Sequence, residues 1–279
     1  MLARQGELAK TFWGPKVTSW QRRVLGLVLG AVLGLLSLQV AAEPLRLYTE
    51  EYPPVSFSSK GRAEGMSTEL VRELLKRIGE DASIEVVPWA RGMRIVQTTP
   101  DTALFTTIRN AEREAQFRWV GPILMATDAF YALKGSGLVV RSRADLEQFR
   151  EIAVPRDWFT YQELKAAGMK NLLGVAEPEK MFKMLRMRRV QLIIADNLSF
   201  YAQGEAAAQV ANLKAGDVEV VYPYRSSYGY ISFWRGTPKA VVQKWQATLD
   251  QMRRDGSFSR IHQRWLPGEP EPPLREPGH

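Results

Sequence analysis

The chain has 279 residues, 45% hydrophobic and 24% charged, a balance that fits one or two globular domains and excludes a disordered, collagen-like or multi-span membrane chain. It has no cysteine and only two histidines, His262 and His279, which excludes disulfides, thiol catalysis, thiolate metal sites and imidazole-rich metal centres. The formal charge of +8 does not mark a nucleic-acid protein: half of it comes from Arg4, Lys10, Lys16, Arg22 and Arg23 against Glu7, and the rest is scattered without a basic run interleaved with aromatics.

The first 42 residues read as an export signal. After Gln21-Arg22-Arg23 an uncharged, mostly apolar stretch runs from Val24 to Val40, followed by Ala41-Ala42-Glu43-Pro44. Small residues at Val40 and Ala42 fit a signal peptidase, so cleavage is expected after Ala42. The alternative is an uncleaved anchor, for which this stretch barely reaches spanning length. The basic lead-in is long for a signal, which a translation start at Val17 would explain. The paired arginines match a twin-arginine signal poorly, so general secretion to the periplasm is the expected route.

From Pro44 onward short apolar runs alternate with helical periods, the pattern of an α/β fold on parallel strands. Strands are expected at 45–49, 84–87, 103–107, 152–154, 172–175 and 190–195. The first helix carries Leu70, Val71, Leu74, Leu75 and Ile78 and stops at Gly79; others follow at 89–97, 142–149, 161–167 and 178–188. Near the end, Thr237 and Pro238 open a helix with Val242, Trp245, Leu249 and Met252 on one face, closed by Gly256. Residues 267–279, starting Pro-Gly-Glu-Pro-Glu-Pro-Pro, read as a solvated, disordered tail. Trp119 and Trp245 read as packing residues, His262 as a surface histidine, and the cations of 184–189 as a solvated helix end.

Three loops follow strands, where open α/β sheets bind ligands. In Thr49-Glu50-Glu51-Tyr52-Pro53-Pro54 the tandem prolines stiffen the chain and hold Glu50 and Tyr52 in place, although a plain rigid turn reads the same way. In Thr106-Thr107-Ile108-Arg109-Asn110-Ala111-Glu112-Arg113, hydroxyls, a capping Asn110 and guanidinium groups can grip a carboxylate; a solvated arginine pair or an Arg109 to Glu112 contact is the plain alternative. Asp196, emerging from the buried run ending at Ala195, is placed either to meet a ligand ammonium or to cap the next helix.

The order of Glu50-Glu51-Tyr-Pro-Pro, Gly65 before a helix, Val87-Pro88-Trp89, Thr106 to Glu114, Phe117 to Pro122, Met184-Leu-Arg and Asp255-Gly-Ser-Phe-Ser-Arg-Ile resembles the bacterial family 3 solute-binding proteins across about residues 44–266. That resemblance implies a two-lobe periplasmic binding protein type II fold. Lobe 1 would span 44–127 plus 228–266 and lobe 2 would span 128–227, with crossing hinge segments at 126–133 and 222–227. It further implies that Arg113 binds a ligand α-carboxylate, that Asp196 binds its α-ammonium, and that Tyr52 lines the lobe 1 wall. The chain departs from the family pattern at Met66-Ser67, at Arg109, and in the loop Pro155 to Thr160, where Trp158 and Phe159 replace small hydroxyl residues.

The expectation is therefore a monomeric, non-catalytic exported receptor for an amino acid or related small carboxylate, with neither cofactor nor metal. Its ligand-binding residues are Glu50, Tyr52, Thr106, Thr107, Arg109, Arg113, Trp158, Phe159 and Asp196. An inner-membrane ABC permease is the expected partner, with a sensor protein as the other choice. The alternative is an enzyme on the same fold resembling the periplasmic cyclohexadienyl dehydratases, with Glu50 or Asp196 as general acid.

Overall fold

A computed structural model describes residues 44–156, 158–202 and 206–274. The signal and cleavage expectations for residues 1–42 lie outside the described residues. Among those described, no helix is long and apolar enough to cross a membrane.

The chain folds on one eight-stranded mixed sheet in the order β4-β1-β5-β10-β6-β9-β7-β8. Strands β1 (Arg46–Thr49), β4 (Ser83–Val86) and β5 (Thr102–Ile108) pair in parallel at one end, and β7 (Ile152–Pro155), β8 (Leu172–Val175) and β9 (Leu192–Asp196) do so at the other. Two 17-residue strands, β6 (Phe117–Leu133) and β10 (Val218–Trp234), join the halves as an antiparallel ribbon. One end of β10 pairs with β5, and the opposite end of β6 pairs with β9. Each long strand thus serves both halves, and the ribbon's register irregularities occur along its length in β10, between Val220 and Tyr222, Pro223 and Arg225, and Gly229 and Ile231. A small hairpin of β2 (Phe57–Ser59) and β3 (Arg62–Glu64) stands apart from the main sheet.

The helices follow the apolar periodicity. Helix α1 (Met66–Ile78) buries Leu70, Val71, Leu74 and Leu75, and Gly79 closes it in the left-handed conformation, its N–H donating to the Leu75 carbonyl. Its first turn depends on Gly65, at φ 113, where a Cβ would fall 2.5 Å from the Val55 carbonyl oxygen, so only glycine lets the two segments approach. Helix α2 is Trp89–Thr98, α3 is Phe159–Ala166 and α4 is Pro178–Arg186, with Pro178 in its first turn as expected of a residue lacking an N–H. Helix α5 (Lys239–Arg254) buries Trp245, Leu249 and Met252, and Gly256 in the left-handed region separates it from α6 (Ser257–Trp265). One apolar core joins α1, α5 and α6 to the β1 and β5 end; two more flank the β7–β9 end.

Several expectations change. The segment expected as a helix at 142–149 is a 3-10 turn, Arg143–Gln148, held by a reciprocal Ser142–Asp145 cap. Pro238 is itself the cap of α5, one residue later than expected from Thr237. His262 is not at the surface: it is 1% exposed and stacked on Phe258, and burial pushes its pKa down. The stretch from Pro267 to Leu274 is not a free tail, because it docks through Glu269 and Pro272 onto the body of the protein; residues 275–279 lie outside the described residues. The cations of the α4 end, with Met187 at 51% exposure, are solvated as expected.

Candidate ligand-binding site

Glu50 leaves β1 at its C-terminal end, and the next residues fold back sharply. Tyr52 N–H donates to Ser56 O at 2.6 Å, Val55 N–H to Tyr52 O at 2.8 Å, and the Ser56 hydroxyl to Glu50 O at 3.0 Å. With Pro53 and Pro54 fixing φ inside this turn, Glu50 and Tyr52 are held at the strand end without the flexibility of an ordinary loop. Burial pushes the Glu50 carboxyl up to about 7, against the attraction of the nearby Arg113.

Arg113 stands near this carboxylate on the loop after β5. Its backbone N–H is taken by Asn110 Oδ1 at 3.0 Å, its Nη1 donates to Ile108 O at 3.1 Å, and its guanidinium lies 5.3 Å from the centre of the Trp89 ring at the start of α2. These contacts fix the stem and one face of the guanidinium, a group whose planar fork suits a carboxylate.

Asp196 ends β9 and does cap the following 3-10 turn, Asn197–Tyr201. Oδ1 accepts from Leu198 N–H and Ser199 N–H, each at 3.0 Å, and Oδ2 accepts from the Ser199 hydroxyl at 2.9 Å. Capping does not remove it from the site, because the Tyr52 hydroxyl also hydrogen-bonds its carboxylate. Burial raises the pKa of both groups; Asp196 and Asp128 add to the shift of Tyr52, and Asp128 adds to that of Asp196. Asp128 sits opposite Asp196 in the β6–β9 ladder. Its charge is met by Arg225 of β10 at 2.8 Å, which also pairs with Glu163 of α3 at 2.7 Å. Arg113, Glu50, Tyr52, Asp196, Asp128 and Arg225 are therefore linked pair by pair through their charges and hydrogen bonds, in a row that draws on the ends of β1 and β9, the loop after β5, and the strands β6 and β10.

Other expected residues lie elsewhere or play a different part. Arg109 does not join the row: its Nε and Nη2 grip Glu114 by two bonds of 2.7 Å, while its plane covers Tyr230 at 5.2 Å and Trp119 at 5.8 Å. Trp119 is a packing residue, edge-on to Phe117 and Tyr230. Thr107 is fully buried and bonded to Ser232 at 2.8 Å, so its hydroxyl ties β5 to β10. Thr106, next to it, is 4% exposed with φ 67, a backbone conformation that costs a β-branched residue on the order of 1–3 kcal/mol; its hydroxyl lies 3.5 Å from that of Thr49. Trp158 is half-buried at the cap of α3, against the two cores of the β7–β9 half. The Phe159 side chain lies outside the described residues. Reasoning from sequence missed Trp89, Asp128, Arg225 and Glu163. Trp89 stood in a recognisable Val87-Pro88-Trp89 segment, but the ion pairs of Arg225 join residues 62 and 97 positions away and leave no local signal.

A model of the bacterial extracellular solute-binding proteins, family 3, matches residues 45–268. The chain belongs to this family. Solved structures of similar fold include an ancestral cationic amino acid solute binding protein (20% identity, TM-score 0.65, covering 80% of this chain and 95% of the other). They also include the L-cystine solute receptor of Neisseria gonorrhoeae in its unliganded open conformation (18%, 0.62, 80% and 92%). A histidine kinase sensor domain with similarity to periplasmic binding proteins matches as well (18%, 0.63, 82% and 98%). No curated protein sequence matches. The fold is accordingly the two-lobe, type II periplasmic binding fold, and the family to which it belongs is one of extracellular ligand receptors.

Proposed function

We propose that this family 3 protein is an exported periplasmic receptor that captures an amino acid or closely related small carboxylate by closing two lobes over it, and delivers it to an ABC permease. The lobes are residues 44–127 with 228–266, and 128–227; the hinge is the ribbon at 126–133 and 222–227. The observation that carries this reading is the charge order of the site. Arg113, stacked on Trp89 and braced on Ile108 O, is a cation suited to a carboxylate, and the buried Asp196, with Asp128 opposite it, is an acid whose ionised form an ammonium would favour. A zwitterion satisfies both only when the lobes are together, so its binding shifts the equilibrium toward closure.

Glu50 refines the ligand class. Burial raises its carboxyl to about 7, so it is only about half ionised at pH 7, and a cationic group on the ligand would favour the ionised form. A zwitterion with an additional positive side chain therefore fits this site best. Thermal-shift screening of amino acids, opines and organic acids, followed by mass spectrometry of the recovered hit, tests the reading. A ligand at about a hundred times its Kd should stabilise the protein by about 2.7 kcal/mol. Absence of any shift from amino acids and their derivatives would count against it.

One observation favours a second reading. A carboxyl with a pKa of about 7 is also suited to general-acid chemistry, and Glu50 could protonate a leaving group on a bound carboxylated ring. Turnover of prephenate or arogenate, lost in Glu50→Gln, would establish an enzyme and displace the receptor reading. The sensor-domain neighbour supports a third partner class, a signalling protein in place of the permease.

A further inference from the structure

The segment after α6 returns across the molecule. Gln263 of α6 brackets its first turn, accepting from Gly268 N–H at 3.1 Å and donating to Glu269 O at 3.2 Å, and Glu269 N–H donates to Leu266 O at 3.2 Å. Farther along, Arg253 of α5 donates to the Pro272 carbonyl at 2.9 Å through Nη1 and to the Pro122 carbonyl at 2.5 Å through Nη2, while its plane covers Phe258 at 4.3 Å. Both ends of the segment are thus pinned to helices that pack on the β1 and β5 end of the sheet.

Between these anchors the Glu269 carboxylate reaches the 3-10 turn that follows β9. One oxygen accepts from the Asn197 side-chain amide and the other from the Tyr201 hydroxyl at 2.8 Å. Asn197 in turn accepts the Thr127 backbone N–H at 2.7 Å, inside the β6 crossing segment. Asn197 directly follows Asp196, and Leu198 of the same turn is buried in the core built by α1, α5 and α6. A cavity of about 290 Å³ lies beside the clasp, lined by Thr127, Tyr131, Asn197, Phe200, Val218 and Glu269. Glu269 lines this space and is held there by its hydrogen bonds to Asn197 and Tyr201.

We propose that residues 266–273 form a third, non-covalent connection across the hinge, and that Glu269 is the positioning residue whose clasp on Asn197 and Tyr201 restrains lobe opening. The connection acts through the hinge and does not touch ligand. It rests on the hinge placed under the receptor reading, and the measurement below needs no ligand, so an error in ligand class leaves it intact.

The test is the interlobe distance in the ligand-free full chain. The native chain has no cysteine, so Lys76→Cys on α1 and Lys183→Cys on α4, both exposed, are the sole spin-label sites. In this background the parent should give a narrow distance distribution by pulsed dipolar spectroscopy. Glu269→Ala should broaden it and raise the population of the longer distances about tenfold, Tyr201→Phe should do so partially, and Glu269→Gln should restore most of the parent distribution because its carbonyl keeps one acceptor. Circular dichroism melts confirm that each variant is folded. A Glu269→Ala distribution that overlays the parent, or equal broadening in Glu269→Gln and Glu269→Ala, overturns the clasp.

Discussion

The affinity of the site should depend steeply on pH, through Glu50. In the empty protein its carboxyl titrates near 7, because burial outweighs the attraction of Arg113. A ligand that places a cation against Glu50 binds the ionised form, so the apparent Kd is the intrinsic value divided by the ionised fraction. At pH 5 about 1% of Glu50 is ionised, at pH 7 about half, and at pH 8 about 90%; Kd should therefore weaken roughly 100-fold between pH 8 and pH 5, or about 2.7 kcal/mol. The groups facing Glu50 do not reverse the sign: Asp196 is also raised by burial, so it too becomes protonated as pH falls, and Tyr52 is raised away from this range. Titration calorimetry with the best cationic hit of the panel, at pH 5 to 8 in two buffers of different ionisation enthalpy, reads both quantities. Binding at pH 6 should release about 0.9 proton from Glu50. Glu50→Gln should lose that release and most of the slope. A Kd that stays flat within threefold over this range, or a Glu50→Gln variant with the parent slope, would refute the assignment of Glu50 to a ligand cation.

The same shift sets a stability prediction. Because folding raises the Glu50 pKa from 4.5 to about 7, the folded state binds the extra proton between those values, and stability falls as pH rises through that window. The full shift corresponds to at most about 3.4 kcal/mol, less for a half-buried group, so Glu50→Gln should stabilise the empty protein at pH 8 by about 1–2 kcal/mol in chemical denaturation and have no benefit at pH 4. Arg113→Ala should weaken ligand binding by about 2–5 kcal/mol in calorimetry, whereas Arg109→Ala should leave affinity within threefold and instead lower the melting temperature, because it breaks the Glu114 fork and uncovers Tyr230. Gly65→Ala should destabilise the fold by about 2–4 kcal/mol, since the added Cβ meets the Val55 carbonyl and the backbone sits at positive φ; a melt unchanged within 1 °C would contradict the geometry. N-terminal mass analysis of exported protein should find Glu43 first, and a mature chain retaining residues 24–40 would indicate an anchor instead.

How far the sequence carried each feature follows from the range of the interaction behind it. Helix α1 and its stop at Gly79, the buried strand ending at Asp196, and the stiff Glu50–Tyr52 turn all depend on neighbours within a few residues, through side-chain periodicity, glycine at positive φ and proline at fixed φ. They were legible from residue order alone, and so was the family, because its motifs keep their order along the chain. The paired strands β6 and β10 were not, since their register joins residues such as Asp128 and Arg225 that are far apart in sequence, and their mixed polar and aromatic faces show no single period. The choice of partner for Arg109 also belongs to the tertiary structure: the turn at 110–116 brings Glu114, not Glu112, to the guanidinium. The end of the chain shows the limit most plainly. Its Pro- and Glu-rich composition predicts solvation, yet once α5, α6 and the hinge are in place, Gln263, Arg253, Asn197 and Tyr201 supply the hydrogen bonds that hold it. Composition describes what a segment prefers when alone, and a folded surface decides whether it stays alone.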